Sequence, residues 1–158
     1  MITGIPIPPP IEVFNEILRV GKKVIIFGGN FFTDKLPVNG HWLVWDKVGG
    51  IDFKSPFSDC ELAWTNLPRT SVMKYVVIQQ GFLAEEKQRF HPTQKPVNLM
   101  ESILSDYSNE NELVLDCFSG AGATLIACQR IKRNFIGIDI SEKYCKIARE
   151  RLKQKTLF

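Results

Sequence analysis

Two carboxylates stand at the ends of two short apolar runs, Asp116 closing "LVLD" (113–116) and Asp139 closing "NFIGID" (134–139). Between them lies "CFSGAGAT" (117–124), a run of small residues with Gly120 and Gly122, followed by a stretch with helical spacing. Apolar run, glycine turn, helix and second apolar run form the pattern of a strand–turn–helix–strand unit. In open α/β sheets ligands sit beyond the carboxyl ends of the strands. Glycine lets a backbone come close to a ligand in conformations that other residues avoid. An acid ending the second strand can accept both hydroxyls of a ribose. The turn therefore suits a ligand that contains a nucleoside.

The identity of that ligand follows from what surrounds the glycines. A dinucleotide fingerprint needs a third glycine where this chain has Leu125, and there is no G-K-[ST] of a phosphate-binding loop. S-adenosylmethionine (SAM) brings a ribose and a cationic sulfonium but no phosphate, and two acids suit it better. A nicotinamide-dependent dehydrogenase is the competing function, disfavoured by Leu125.

The elements that must hold this turn can be placed along the chain. "PPPIEVFNEILRV" (8–20) has helical spacing, with Pro10 suited to the first turn, Phe14, Ile17 and Leu18 on one face and Gly21 to end it. "KVIIFGG" reads as a buried strand ending at Gly28 and Gly29, and "HWLVWDK" and "CELAWTN" as two further strands. Trp45 and Trp64 on them are expected in packing rather than base stacking. Residues 68–96 are irregular, with "VMKYVVI" the one strand-like piece, and a long loop is expected there. "VNLMESILSDY" (97–107) returns to helical spacing, with Val97, Met100, Ile103, Leu104 and Tyr107 on one side. "ELVLD" reads as a buried strand, residues 122–131 as a helix and "NFIGID" as a strand. Ser141 can cap a last helix with Tyr144, Ile147, Ala148 and Leu152 as its apolar face. Strands alternating with helices predict an α/β, doubly wound, mostly parallel sheet.

The 158 residues are enough for one domain, with 44% hydrophobic and 23% charged residues, a globular composition. No apolar run approaches membrane-spanning length and no targeting signal opens the chain, so a cytoplasmic protein is expected. Cys60, Cys117, Cys128 and Cys145 have no metal-ligand spacing; buried free thiols are expected and no metal site. The net charge of +3 permits an anionic partner without requiring one.

Three segments carry a family resemblance. "DCFSGAGAT" (116–124) resembles the D-P-F-x-G-S-G-T cofactor motif of DNA methyltransferases acting on exocyclic amino groups, the N-4 cytosine / N-6 adenine type. "RFHPTQKPVNLMESIL" (89–104) resembles the H-P-T-Q-K-P block that precedes that motif in their permuted β group, found in phages and restriction-modification systems. "IGIDISEKYCKIARERL" (136–152) is similar to the segment closing many of those chains, and the likeness extends over nearly all of 8–153. The resemblance implies a Rossmann-like SAM-dependent methyltransferase fold. It implies that Phe118, Ser119, Gly120, Ala121 and Gly122 wrap the methionine part of SAM, with Asp116 beside them. Asp139 would hold the ribose and Ile140 pack on the adenine. His91, Thr93, Lys95 and Pro96 would line the same pocket near the methionine carboxylate.

The same resemblance exposes a gap. These enzymes hold the target amine with [D/N/S]-P-P-[Y/F/W], a tetrapeptide this sequence does not contain; "PIPPPIEVF" (6–14) has the prolines without the polar and aromatic partners. No catalytic residue is assigned. The expectation is an N-terminally shortened chain lacking the strand that carries this motif. It is expected to form one domain over 1–158, with the rest of the catalytic half at 1–67, a target-recognition loop at 68–96 and the SAM half at 97–158. The implied activity is SAM-dependent methylation of adenine N6 or cytosine N4 in double-stranded DNA. The alternative is a SAM-binding, catalytically incomplete module that partners a methyltransferase, as a homodimer or with a second chain completing the sheet. Cytosine-carbon methylators use a Pro-Cys nucleophile, and no cysteine here follows a proline. Lys47, Lys54, Arg69, Lys74, Lys87 and Arg89 are the candidates for DNA contact.

Overall fold

A computed structural model describes residues 8–51, 58–79, 90 and 93–154. The chain divides into two compact units, Met1–Ile78 and Gln79–Phe158.

The first unit opens with helix α1 (Ile11–Val20), preceded by Pro10 in the extended conformation that starts a helix. Glu12 in its first turn and Arg19 in its last complement the helix dipole. The helix stops at Gly21 because the chain turns back on itself there: a Cβ at that position would lie 2.5 Å from Cγ2 of Val24. Strand β1 (Ile25–Phe27) follows, then Gly28 at φ +72° and a single 3-10 turn, Gly29–Phe31. Strands β2 (Trp42–Asp46), β3 (Cys60–Thr65) and β4 (Met73–Val76) complete a sheet of order β1-β3-β2-β4.

In that sheet β3 runs antiparallel to both β1 and β2, while β2 and β4 are parallel. The parallel pairing expected from sequence is thus interrupted by one reversed strand. Phe14 of α1 packs with Val24, Leu36 and Trp64 into the core, and Ile17, Leu18, Phe32 and Trp42 close around it. Trp45 and Trp64 are buried, as expected of packing residues. Their indole N–H groups donate to the carbonyls of Val77 (2.9 Å) and Pro37 (3.0 Å), so burial leaves neither donor unpaired. His41 is also fully buried. Its backbone N–H donates to Asn39 Oδ1 (3.1 Å), its carbonyl accepts from Thr65 Oγ1 (3.1 Å), and ring Nδ1 hydrogen-bonds the Ser71 carbonyl. β4 is the strand-like piece of the irregular region; residues 80–89, 91 and 92 lie outside the described residues.

The second unit holds helix α2 (Val97–Tyr107), strand β5 (Leu113–Asp116), helix α3 (Ala123–Arg130), strand β6 (Asn134–Gly137) and helix α4 (Glu142–Lys153). β5 and β6 pair in parallel, from Leu113↔Asn134 to Asp116↔Gly137. Val97 of α2 packs with Ala123, Ile126 and Ala127 of α3, joined by Met100, Leu104 and Leu152. Leu99, outside the apolar stripe read from spacing, is also completely buried. Arg133 finishes α2: Nη2 donates to the carbonyl of Ser108 (2.8 Å) and Nε to its hydroxyl (3.1 Å). No helix among the described residues is long and apolar enough to cross a membrane.

Two expectations change. "ELVLD" is not buried throughout: Leu113 and Leu115 are 64% and 42% exposed, as are Ile136 (47%) and Ile138 (53%) on and just beyond β6. By the pairing register Leu115 and Ile136 share one sheet face, opposite Val114 and Phe135. The strands carry apolar residues on both faces, the pattern of a doubly covered parallel sheet, and among the described residues one face is exposed. Nor are all four thiols buried. Cys128 is, and burial, with the Asp116 charge second, pushes its pKa up to about 11; Cys60 is exposed.

At the end of β2, Asp46 Oδ1 accepts the N–H groups of Gly49 (2.7 Å) and Val48 (3.0 Å), and Oδ2 meets Lys74 Nζ (3.1 Å). Those backbone bonds, then the Lys74 bond, lower its pKa. A carboxyl depressed in the folded state contributes stability above its unfolded pKa and loses it as pH falls through the folded pKa. Asp46→Ala is therefore expected to lower the melting temperature at neutral pH, with the gap to wild type closing in strongly acid solution. Melting curves by circular dichroism across pH test this; a gap of constant size down to the most acid pH at which both fold would refute it.

Candidate functional site

The glycine turn is held by backbone groups bonded to one another and to the side chains of Asp116, Ser119 and Asp139. Asp116 Oδ1 accepts from the N–H of Phe118 (3.1 Å), and the Asp116 carbonyl from that of Ile138 (2.8 Å). The Ile138 carbonyl in turn takes both the N–H (2.9 Å) and the hydroxyl (3.2 Å) of Ser119. Gly120 (φ +48°) and Gly122 (φ +82°) supply the left-handed residues, and Gly122 is the N-cap of α3. Asp139 then closes the turn: Oδ2 accepts the N–H of Gly120 at 2.8 Å and Oδ1 that of Ser141 at 2.8 Å. Each of its oxygens carries one of these bonds, and a carboxylate oxygen has room for two. The acid both locks the turn and retains capacity for hydroxyl donors. Ser141 does occupy the N-cap of α4, but its hydroxyl makes no capping bond; its N–H goes to Asp139 instead.

The place of the missing third glycine is explained by packing. Leu125 sits on α3 where a dinucleotide fold would need a small residue, and the room comes from the strand. A Cβ on Gly137 of β6 would lie 2.4 Å from Leu125 Cδ1. The small residue has moved from helix to sheet. Gly122 meets α4 in the same way: its Cβ would lie 2.9 Å from Ala148 Cβ. A lone glycine inside a strand is the sequence signal for such an approach, and Gly137 carries it.

Beyond the strand ends lies a cavity of about 90 Å³, lined by residues from two separated segments. Thr93, Gln94 and Lys95 come from the first; Asp116, Phe118, Ser119, Gly120, Ala121, Ala123 and Thr124 from the second. Seven of the sequence candidates thus line one cavity. Gln94, Ala123 and Thr124 join them without having been singled out, although all three lie inside the two quoted motifs. Pro96 is instead the buried N-cap of α2, and Gly122 packs on Ala148. Asp139 reaches the cavity wall through Gly120, and Ile140 is fully exposed. His91 lies outside the described residues.

The DNA-contact candidates are less free than their charges suggest. Lys47 Nζ lies 2.8 Å from Glu61 and over the Trp45 ring, and Lys74 pairs with Asp46. Arg69 is exposed; Lys54, Lys87 and Arg89 lie outside the described residues.

A parallel strand pair, a glycine turn clamped by an acid and a cavity at the strand ends define the class: a Rossmann-like fold of the methyltransferase type. The particular family follows from comparison. Residues 38–150 match the N6_N4_Mtase family, described as DNA methylase, and the chain belongs to that family. It is 40% identical over 77 residues to the Type II methyltransferase M2.LlaDCHI of Lactococcus lactis subsp. cremoris, covering 47% of this chain and 29% of that protein. It is 48% identical over 63 residues to the Type II methyltransferase M2.DpnII of Streptococcus pneumoniae, covering 40% and 24%. The matched region is under a third of the length of these relatives. Among solved structures, a complex of M1.HpyAVI with SAM superposes on 92% of this chain and 85% of its own, with TM-score 0.61 and 25% identity. The cytosine-N4-specific PvuII DNA methyltransferase shares the fold over 75% of this chain and 52% of its own, with TM-score 0.53 and 15% identity.

The Leu125–Gly137 contact makes its own prediction. Gly137→Ala is expected to destabilise the protein by about 1–3 kcal/mol through overpacking. The double variant with Leu125→Ala should lose less than the sum of the two single losses. Urea denaturation of the two single variants and the double variant measures the coupling, and strict additivity would show that the two residues do not compete for space.

Proposed function

We propose that this chain binds SAM at the β5–β6 strand ends and serves methylation of the exocyclic amino group of adenine (N6) or cytosine (N4) in double-stranded DNA. The supporting observation is convergence. Two blocks separate in sequence, Thr93–Lys95 and Asp116–Thr124, face one cavity.

The residues present fit that cofactor. Asp139 has acceptor capacity for ribose hydroxyls beside a turn it already holds. The small side chains of Ser119, Gly120 and Ala121 allow close backbone approach, and Lys95 supplies a positive charge for a carboxylate. Phe118 (62% exposed) and Ile140 stand open as apolar surfaces for the cofactor's less polar parts. Bound there, SAM would supply the electrophilic methyl group, and the protein's share is to hold and orient. The Asp116 carboxylate, on the cavity wall, provides a favourable field for a cation. His91 and Pro96 belong to the same proposal, His91 as a further wall of the pocket and Pro96 as the residue that starts α2 directly after it. Target-amine chemistry is assigned to no residue of this chain, because the [D/N/S]-P-P-[Y/F/W] tetrapeptide is not in the sequence.

A second function, a SAM-binding module that works with another polypeptide, is favoured by one observation. Among the described residues the apolar face of Leu113, Leu115, Ile136 and Ile138 is exposed, whereas parallel strands are normally covered on both sides. The partner would be a second copy or another chain that covers this face. In the one-domain arrangement proposed, residues 1–67 belong to the catalytic half, 68–96 to target recognition and 97–158 to the cofactor half.

Calorimetric titration with SAM, paired with tritiated methyl transfer from SAM to unmodified duplex DNA, decides between these. SAM binding without NADH binding is expected. Asp139→Ala should weaken SAM at least about tenfold, because hydrogen bonds to a charged group are lost. Transfer by the chain alone supports the enzyme; binding without transfer supports the module. Affinity for NADH in place of SAM would overturn both.

A further inference from the structure

We infer that Arg151, on the last helix, is a positioning residue that ties together the two loops walling the cavity. The role rests on the proposed cofactor site. Charged residues on a terminal helix ordinarily face water, and two neighbours do: Lys153 and Glu150 form an exposed i,i+3 pair. Arg151 is half-buried, and Nη1 donates to the carbonyl of Ala121 at 2.7 Å, inside the glycine turn. That length is in the range of the short, strong bonds made by charged donors. The guanidinium also lies over the Phe90 ring, 5.1 Å from its centroid, a cation–π distance. The N–H of Phe90 donates to Gln94 Oε1 at 2.9 Å, and Gln94 lines the cavity together with Ala121.

One side chain therefore reaches both walls: the Ala121 turn by a hydrogen bond, and the 93–95 segment through Phe90 and Gln94. A lysine keeps the charge but has neither the planar face nor the fork of donors that make both contacts at once. Asp139 holds the same turn through the N–H of Gly120. Arg151 and Asp139 thus grip neighbouring residues of the turn, one at the Ala121 carbonyl and one at the Gly120 N–H, on either side of the 120–121 peptide. The site's ribose end depends on Asp139 directly; its amino-acid end depends on the spacing that Arg151 sets.

The test uses two ligands: S-adenosylhomocysteine, which has the amino-acid tail, and methylthioadenosine, which lacks it. Wild type, Arg151→Gln, Arg151→Lys and Phe90→Leu are titrated with both, and melting temperature is recorded. Arg151→Gln is expected to weaken S-adenosylhomocysteine about tenfold or more, the size of a lost hydrogen bond from a charged donor. Methylthioadenosine should change less than about twofold. Arg151→Lys, the milder change should the glutamine variant fold poorly, should show the same split at smaller size. Phe90→Leu should add nothing to Arg151→Gln in the double variant. Parallel weakening of both ligands, or no change in either, overturns the role while leaving the cofactor site standing. A wild type that binds neither ligand removes the cofactor site and this role together.

Discussion

The hydrogen bond from the Gly120 N–H to the Asp139 carboxylate is the constraint on which the second unit's chemistry depends. A left-handed glycine turn has no regular ladder to hold it. Here the end of one strand is bonded to the residues just beyond the next: Ser119 to Ile138, Ile138 to Asp116, and Gly120 to Asp139. The acid sits where the turn needs an acceptor and where a nucleoside would offer hydroxyls. Under the proposed function the same carboxylate serves local structure and ligand recognition, and its two oxygens have capacity for both. That economy explains why an acid at this strand end is worth more than a neutral acceptor. It fixes the turn and supplies charge to the site.

Packing then determines where the small residues must fall. α3 lies close to β6 because Leu125 drops onto Gly137, and α4 lies close to the turn because Ala148 faces Gly122. Exchanging which side of each contact is small preserves the close approach and changes the sequence signature. A pattern that fails a dinucleotide fingerprint can therefore still make a tight strand–turn–helix. The first unit uses a different means to the same end. The buried His41 and Thr65 and the half-buried Asn39 bind one another, His41 also meets the carbonyl of Ser71, and two tryptophans give their N–H groups to loop carbonyls, so the loops around its sheet are tied down by buried and half-buried polar bonds.

The cavity is small for a drug-sized ligand, and apolar side chains remain open beside it and along β5 and β6. The open strand face has a simple cause. The strands carry apolar residues on two faces, while α3, the helix that packs on them, contributes its burial to one. Exposed apolar surface of this kind marks places where another molecule binds or another segment packs.

Much of this was legible from sequence alone. The strand end at Asp116, the glycine turn, the helix over 97–107 and the last helix follow from short-range rules (periodicity, glycine's conformational freedom and an N-cap serine's position), while β6 ends at Gly137, two residues before Asp139. Of the three segments that carry the family resemblance, parts of two, Thr93–Lys95 and seven residues of 116–124, line one cavity. What the sequence could not contain was anything set by residues meeting across space. The reversed direction of β3, the open face of Leu113 and Leu115, the pairing of Lys47 with Glu61, the fit of Leu125 on Gly137 and the inward turn of Arg151 each depend on a partner distant in the chain. Spacing along one segment records which face a residue is on; only the folded chain decides what, if anything, that face meets.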